Sequence, residues 1–241
     1  ESPIENLTIS ENARAILVIS PILLCSAGLF ASLIGIYFVK IKGSKEPGKA
    51  LNTGTYIATL IFAGFAALIT LIMSIGLKSA EVTYIWRLYI TVLIGLASGL
   101  MIGFTSDYFT RDDKGPTQKM ARSAEEGHAI VILSGFAYGL ISVVPPAIGI
   151  VAAMAVSYFL GGIFGVAMAA VGMLAIVGTI VSNDAYGPIV DNARGLAEQG
   201  ELGEEVIRTA DRLDSAGNTA KAITKGYAIG AANLTVLALL F

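Results

Sequence analysis

The chain has 241 residues, of which 55% are hydrophobic and 14% are charged. Soluble globular proteins carry about 25% charged residues, so this composition excludes an ordinary soluble domain. The formal net charge is -2, and the sequence contains no basic tract of the kind that binds nucleic acid. The single cysteine, Cys25, and the single histidine, His128, also exclude a disulfide framework and a histidine-based metal site.

Long runs without a charged residue predict the membrane spans. Residues 15–39, 50–77 and 88–106 form runs of 25, 28 and 19 residues. Each run exceeds the roughly 18 residues that make a segment a candidate span. A further run, residues 129–183, has 55 residues and is too long for one span, so it must fold back once. The turn is expected within residues 158–165, where three glycines loosen the helix.

These runs and the apolar C-terminal segment together predict six membrane helices. Pro145-Pro146 is expected to kink the fourth helix, because a break there would leave a first span of only about 16 residues. The sequence therefore predicts an all-α, polytopic membrane helix bundle, with residues 1–241 forming one segment of a membrane domain. The predicted helices cover residues 14–40, 50–78, 86–107, 128–158, 162–198 and 207–241.

Both ends of the chain suggest an internal segment of a longer membrane protein. The start, Glu1-Ser-Pro-Ile-Glu, has no initiator methionine and no basic region followed by a cleavage motif, so it is not a signal peptide. Residues 226–241 would give only about 24 Å of helix, which is short of a hydrocarbon core about 30 Å thick. We therefore expect further helices of the same protein to contact this segment within the lipid bilayer.

Basic residues are distributed unevenly between the two sides of the predicted bundle. The connections at residues 40–49, 107–128 and 184–217 share one side and carry eleven Lys or Arg residues, whereas the opposite side carries three. Basic residues accumulate in cytoplasmic connections of membrane proteins. The sequence therefore predicts a multi-pass protein of the cell membrane whose acid-rich and amide-rich connections face the cytoplasm.

Acidic residues follow the longest apolar run directly. Asp184 and Asp191 are two helical turns apart, so both side chains share one face about 10 Å apart along the axis. If the helix runs unbroken from about Gly162 through Pro188, Asp184 lies near the cytoplasmic boundary and Asp191 beyond it. The proline favours a kink or a loosened turn between the two aspartates. A carboxylate at the edge of a membrane span costs free energy unless it is paired, which makes both aspartates candidate functional residues.

A second polar stripe lies on the next predicted helix. Asp211, Asp214, Asn218, Lys221 and Lys225 are spaced by three, four, three and four residues, which places them on one helix face. A solvated or salt-bridged helix shows the same spacing, and the pattern alone leaves that alternative open. Because this helix becomes a membrane span after its second lysine, the stripe is expected to face protein. Oxygen ligands in a site with room for water and phosphate suit Mg²⁺.

Three blocks around these polar residues carry a family resemblance. They are Asp184-Ala-Tyr-Gly-Pro-Ile-Val-Asp-Asn-Ala followed by Glu198, then Asp211-Arg-Leu-Asp-Ser-Ala-Gly-Asn-Thr, then Lys225-Gly-Tyr-Ala-Ile-Gly. They resemble the membrane-integral inorganic pyrophosphatases, ion pumps that couple pyrophosphate hydrolysis to the transport of protons or sodium. Gly103-Phe-Thr-Ser-Asp-Tyr-Phe-Thr gives weaker support, since it is similar to the family's Glu-Tyr-Tyr-Thr-Ser element. Arg194 and Gln199 depart from the family pattern, which usually has Gly and often Met there.

The resemblance implies roles for individual residues. Asp191 and Asn218 match residues that coordinate magnesium bound to pyrophosphate. Asp184 and Lys225 match nearby polar positions of an inner ring of helices, so Asp184, Asp191 and Lys225 are the catalytic candidates. The implied scheme is attack of an aspartate-held water on magnesium pyrophosphate, with metal ions neutralising charge on the bridging oxygen and the leaving phosphate.

The resemblance also implies a class within the family. Potassium-dependent members have Ala three residues after the Asn of Ala-Gly-Asn-Thr, and potassium-independent members have Lys; here that residue is Lys221. Thr224 also fits the independent pattern, where the other class tends to have Gly. A lysine ammonium carries the unit charge of potassium and can take its place beside acidic or phosphate oxygens. Because the independent class resembles proton pumps, protons are the expected transported ion.

The expected assembly is a homodimer, and other functions stay open. A secondary ion transporter or channel without hydrolytic activity would use Asp184, Asp191 and Lys225 to bind or relay ions. A sodium-pumping pyrophosphatase and a purely structural subunit are further alternatives. The family's Asp-rich and Lys-bearing motifs of the flanking helices are not found in these 241 residues, so this segment is expected to hold part of the hydrolytic centre.

Overall fold

A computed structural model describes residues 9–40 and 46–240, and every regular element in these ranges is helical. Five helices are long and apolar enough to cross a membrane. The predicted all-α membrane helix bundle is therefore confirmed. In chain order the helices are α1 (Glu11–Tyr37), α2 (Pro47–Met73), α3 (Ser79–Thr110), α4 (Gly115–Ser123), α5 (His128–Leu174), α6 (Val177–Gln199) and α7 (Glu204–Leu240). The sequence did not predict α4, which lies in the connection between the third and fourth spans.

Helix α5 folds back on itself at Gly162. A straight helix of its 47 residues would be about 70 Å long, more than twice the thickness of a hydrocarbon core. Gly162 has φ 63° and ψ −153°, a conformation that side chains other than hydrogen disfavour. The second arm passes so close to the first that a Cβ on Gly165 would overlap the carbonyl oxygen of Ser157. The turn expected within residues 158–165 is confirmed, whereas Pro145-Pro146 lies inside the first arm without any break in its helical torsion angles.

The helix predicted over residues 162–198 is interrupted at Ala175–Ile176, a segment called the helix interruption below. The prediction of one helix over residues 162–198 is therefore wrong, and the condition of an unbroken helix from about Gly162 through Pro188 is not met. Ile176 has φ −95° and ψ 19° and is the N-cap of α6. Its carbonyl accepts the N–H groups of Thr179 and Ile180, and these are the first hydrogen bonds of α6. Two hydroxyl groups of α7 bind carbonyls on either side of the interruption, so it coincides with tertiary contacts. The second arm of α5 and α6 together occupy the range predicted for the fifth of the six membrane spans, and α5 supplies two of these spans although it counts as one of the five apolar helices.

Helix α3 packs directly against the α5 hairpin, through glycines. A Cβ on Gly95 would overlap the carbonyl of Ala169, and a Cβ on Gly172 would overlap the carbonyl of Val92. Such small residues allow close backbone approach, which is how helices associate where lipid removes the usual hydrophobic driving force. The buried core around this contact includes Phe62, Leu88, Met173, Ile176 and Leu234.

Glu81 joins the starts of two helices at one end of the bundle. Its carboxylate is buried and accepts the N–H of Ser10, at 2.8 Å, and the N–H of Lys78, at 3.0 Å. These two residues are the N-caps of α1 and α3. A helix start leaves N–H groups without intrahelical partners, so one acidic side chain satisfies donors on both helices.

Replacing Glu81 by alanine is expected to destabilise the folded protein by about 2 kcal/mol or more, since hydrogen bonds to a charged group contribute about 1.5–3 kcal/mol each. The measurement is the thermal midpoint of the full-length protein in detergent or nanodiscs. Glu81→Gln retains one carbonyl acceptor and is expected to fall between Glu81→Ala and the parent protein. Equal midpoints for all three proteins would contradict the role of Glu81 as a shared cap.

Candidate functional site

Helices α6 and α7 cross at two glycines. A Cβ on Gly217 of α7 would lie 3.0 Å from the Cα of Gly187 and 2.7 Å from the side chain of Val190. Gly187 in turn has no room for a Cβ, because the aliphatic chain of Lys221 lies across it. The close crossing brings the polar stripe of α7 directly against the aspartate-bearing face of α6.

Four of the residues singled out in the sequence form a connected group at this crossing, called the α6–α7 polar cluster. Lys221 Nζ donates to Asn218 Oδ1 at 3.3 Å and lies 3.6 Å from Asp191 Oδ2. Asn218 Nδ2 donates to Asp214 Oδ2 at 3.1 Å. The side chain of Lys221 is 25% exposed, so its ammonium is only partly hydrated beside these oxygens.

Two of the predicted catalytic residues, Asp184 and Lys225, lie outside the cluster. Asp184 is partly buried on α6, and Lys225 is exposed on α7. Within residues 9–40 and 46–240, neither side chain forms an ion pair or a side-chain hydrogen bond. Their predicted roles in catalysis or coupling therefore stay predictions.

The oxygen atoms of the cluster fit a magnesium ion that keeps water and substrate ligands. Asp214 Oδ1 is buried and has no hydrogen-bond partner in the described part of the chain, so one carboxylate oxygen is left unsatisfied beside Asn218. Among the described residues, no three Asp, Glu, His or Cys side chains converge to hold a metal by themselves. Mg²⁺ is usually bound through one or two carboxylates together with phosphate oxygens, and Asp191, Asp214 and Asn218 offer such a donor set.

Arg194 lies beside the site, a role that the sequence did not predict, since it was noted only as a departure from the family pattern. Its Nε donates to Asp211 Oδ1 at 2.6 Å and its Nη2 to Glu198 Oε1 at 3.2 Å. The first contact joins α6 to α7, and the second lies within one turn of α6. The spacing of Arg194 and Glu198 by four residues was the available signal. Asp211 is consequently held by an arginine and lies outside the α6–α7 polar cluster.

A second polar group, centred on Arg111, lies at the same end of the bundle. Arg111 Nη2 lies 2.7 Å from Asp113 Oδ2 and 3.4 Å from Glu46 Oε2, and its Nη1 lies 3.5 Å from Asp107 Oδ2. Asn52 Nδ2 also reaches Asp107, at 3.4 Å, which ties α2 to α3. The hydrogen bond from Arg111 holds the pKa of the Asp113 carboxyl below its ordinary value. The only sign of this group in the sequence was the segment Gly103-Phe-Thr-Ser-Asp-Tyr-Phe-Thr, which contains Asp107 and gave weaker support to the family resemblance.

Comparison with known proteins gives a consistent result. The chain matches the family described as inorganic H⁺ pyrophosphatase over residues 3–241. A Clostridium tetani protein, provisionally named a K(+)-stimulated pyrophosphate-energized sodium pump, is 42% identical over 230 residues, covering 92% of this chain and 33% of that protein. The K(+)-stimulated pyrophosphate-energized sodium pump of Thermotoga maritima is 38% identical over 229 residues, covering 92% of this chain and 31% of that protein. The K(+)-insensitive pyrophosphate-energized proton pump of Caldanaerobacter subterraneus subsp. tengcongensis is 37% identical over 235 residues, with 92% and 33% covered.

The chain spans about a third of the length of these relatives. Relatives named as sodium pumps and as proton pumps have similar identities to it, so overall similarity does not distinguish the two ions. The family match covers nearly the whole chain and includes the motif blocks that form the α6–α7 polar cluster. The chain belongs to the inorganic H⁺ pyrophosphatase family.

Proposed function

We propose that this chain is part of a membrane pump that hydrolyses cytoplasmic magnesium pyrophosphate to phosphate and couples the reaction to proton transport. The observation that carries the proposal is the α6–α7 polar cluster, which puts the metal-binding candidates Asp191 and Asn218 beside a lysine in a chain of this family. The remaining helices of the same protein complete the hydrolytic centre. Relatives that are three times longer support this arrangement.

In the proposed site, Asp191 and Asn218 would hold Mg²⁺ together with phosphate oxygens of the substrate, whose negative charge offsets repulsion between the ion and the Lys221 ammonium. The unsatisfied oxygen of Asp214 belongs to the carboxylate that Asn218 contacts. The bound ion supplies neutralisation of charge on the bridging oxygen and on the leaving phosphate. Lys221 adds a fixed positive charge beside Asp191 and orients the amide of Asn218 through its hydrogen bond. One water molecule and one pyrophosphate give two phosphates, and an aspartate accepts the proton that the attacking water releases.

The class within the family is proposed from Lys221. Its ammonium lies between an amide oxygen and a carboxylate, the environment that a monovalent cation would need. A potassium ion close to that ammonium would be repelled, because two like charges about 4 Å apart interact strongly outside bulk water. We therefore propose a potassium-independent enzyme, and proton transport follows from the resemblance of that class to proton pumps. Sodium transport is the alternative, since some of the similar proteins are named as sodium pumps.

Hydrolysis is tested with membranes that contain the full-length protein. Phosphate release is expected only when both pyrophosphate and Mg²⁺ are present. A secondary transporter or channel would instead move ions down a gradient without pyrophosphate, and Asp184 and Lys225 would be its candidate relay residues. Ion flux that is indifferent to pyrophosphate, in membranes that release no phosphate, would favour this second function.

A homodimer in the cell membrane completes the proposal. The family resemblance implies the dimer, and the first arm of α5 exposes large apolar side chains, such as Phe136 and Ile148, that need lipid or protein cover. The bundle end that bears the α6–α7 polar cluster is assigned to the cytoplasm because its connections carry most of the Lys and Arg residues.

The membrane orientation predicts the accessibility of single cysteines. In a Cys25→Ala background, Ser123→Cys and Gln199→Cys are expected to resist an impermeant thiol reagent in intact cells and to react in inside-out vesicles. Ser79→Cys, at the opposite end of the bundle, is the matched control and should show the reverse pattern. Labelling of positions 123 and 199 from outside intact cells would overturn the orientation and the assignment of cytoplasmic substrate.

A further inference from the structure

The helix interruption leaves the carbonyl of Met173 without the hydrogen bond that it would accept in a continuous helix. In a continuous helix the carbonyl of Met173 would accept the N–H of Val177. In the described structure this carbonyl accepts the hydroxyl of Tyr227, and the N–H of Ala175 turns to Gly172. Tyr227 is buried. Since a buried carbonyl without a partner is costly, the hydroxyl supplies what the interruption removes.

A second hydroxyl of α7 contacts the chain on the other side of the interruption. Thr224 Oγ1 lies 3.3 Å from the carbonyl oxygen of Ile180 in α6, and it shares this bond with the carbonyl of Ala220 in its own helix at 3.1 Å. Lys221, Thr224 and Tyr227 follow one another at steps of three residues, so each side chain is offset by about 60° from the previous one around α7. The helix that carries the lysine of the α6–α7 polar cluster therefore also binds carbonyls on both sides of the interruption.

Helix α1 closes the opposite side of the same segment. Thr179 Oγ1 donates to the carbonyl of Ser32 at 3.4 Å. A Cβ on Gly28 would overlap the carbonyl of Ala175, so the two backbones are already in contact. The interruption is thus enclosed by α1 on one side and by the hydroxyls of α7 on the other.

We propose that Thr224 and Tyr227 are positioning residues that fix the angle of α6 at the helix interruption and thereby place Asp191 opposite Lys221. The reason is the distance between the interruption and Asp191, because a small change in the angle of α6 moves a distant residue by several times more than a near one. Asp191 lies 15 residues beyond Ile176, about 22 Å along the helix, so a tilt of about 5° at the interruption would move it by about 2 Å. That displacement would break its contact with Lys221. The catalytic consequence rests on the proposed function, whereas the geometric consequence does not.

The test uses the full-length protein in nanodiscs, with Tyr227→Phe and Thr224→Val as the variants. Hydrogen exchange of the amides of residues 176–180 is expected to rise about fivefold in each variant, the factor for the loss of one hydrogen bond of about 1 kcal/mol. The KM for magnesium pyrophosphate is expected to rise at least threefold, because the site loses its alignment. The assay contains saturating potassium, so that a change in the potassium requirement of the Thr224 variant does not alter the measured KM.

Two control variants separate positioning from general stability. Tyr84→Phe removes a tyrosine hydroxyl that binds the carbonyl of Gly161, far along the chain from the cluster, and should change neither readout. Thr224→Ser keeps the hydroxyl, so its hydrogen exchange and its KM should equal those of the parent protein. Unchanged exchange and KM in Tyr227→Phe, or an equal effect of Tyr84→Phe, would overturn the proposal. A parent protein that hydrolyses no pyrophosphate would overturn the proposed function instead, and the exchange of residues 176–180 would still decide the positioning role.

Discussion

Asp191→Asn in the full-length protein is expected to lower pyrophosphate hydrolysis by about 100-fold or more while the protein stays folded in the membrane. The substitution keeps the size of the side chain and removes the charge of the carboxylate, which is the proposed ligand of Mg²⁺ and lies 3.6 Å from Lys221 Nζ. Losing one electrostatic partner of a developing charge typically costs 10²–10³ in rate, on the order of 3–4 kcal/mol. The measurement is phosphate release over a magnesium titration.

Two further variants are compared with Asp191→Asn, one at the second proposed metal ligand and one as a control. Asn218→Ala is expected to raise the magnesium concentration needed for half-maximal activity, with a smaller loss than Asp191→Asn because an amide is a neutral ligand. Glu205→Gln removes an exposed acid in the first turn of α7 and should leave hydrolysis unchanged. If Asp191→Asn hydrolyses pyrophosphate as the parent protein does at every magnesium concentration, Asp191 is not the metal ligand.

Lys221→Ala is expected to lose hydrolysis in potassium-free buffer, or to recover it only when potassium is added. The parent protein should be active without potassium, because the ammonium already occupies the position between Asn218 and Asp191. Gly187→Ala tests the same point without replacing the lysine. The new Cβ would displace the aliphatic chain of Lys221, so potassium-free activity should also fall.

The matched control for Lys221→Ala is Lys119→Ala, which removes an exposed lysine of α4 and should leave potassium-free activity unchanged. Activity is measured as phosphate release across a potassium titration at constant ionic strength. A parent protein that is inert until potassium is added would show that Lys221 does not fill the cation site. The proposed proton specificity would then lose its support.

The membrane architecture was predictable because its signals are local. Charge-free runs of about 18 residues or more predict most of the spans, and the glycines near Gly162 mark the turn of a run too long to be straight. The α6–α7 polar cluster was predictable for a similar reason. Regular spacing places Asp214, Asn218 and Lys221 on one face, and the close crossing at Gly187 and Gly217 brings that face to Asp191.

The helix interruption could not be predicted from its own sequence. Residues 172–178, Gly-Met-Leu-Ala-Ile-Val-Gly, contain no proline and no polar side chain, and their composition is compatible with a continuous helix. What fixes the interruption is supplied by Thr224 and Tyr227, more than 40 residues later in the chain. A pattern read along one helix carries no information about carbonyl partners on another.

The polar group at Arg111 shows the same limit. Glu46 and Arg111 are 65 residues apart, and Asn52 and Asp107 are 55 apart, so no local spacing relates them. The partners become neighbours only when α2 and α3 pack. Arg194 and Asp211 likewise meet only across the α6–α7 crossing. Ion pairs between helices therefore depend on the packing and appear only once the structure is known.

The most direct test of a pyrophosphate-driven proton pump is ion transport in inside-out vesicles that contain the full-length protein. The buffer contains Mg²⁺ but neither sodium nor potassium, and a pH-sensitive dye reports the vesicle interior. Adding pyrophosphate is expected to acidify the interior in the parent protein and not in Asp191→Asn. Absence of acidification while phosphate is released, together with sodium uptake once sodium is supplied, would contradict proton transport.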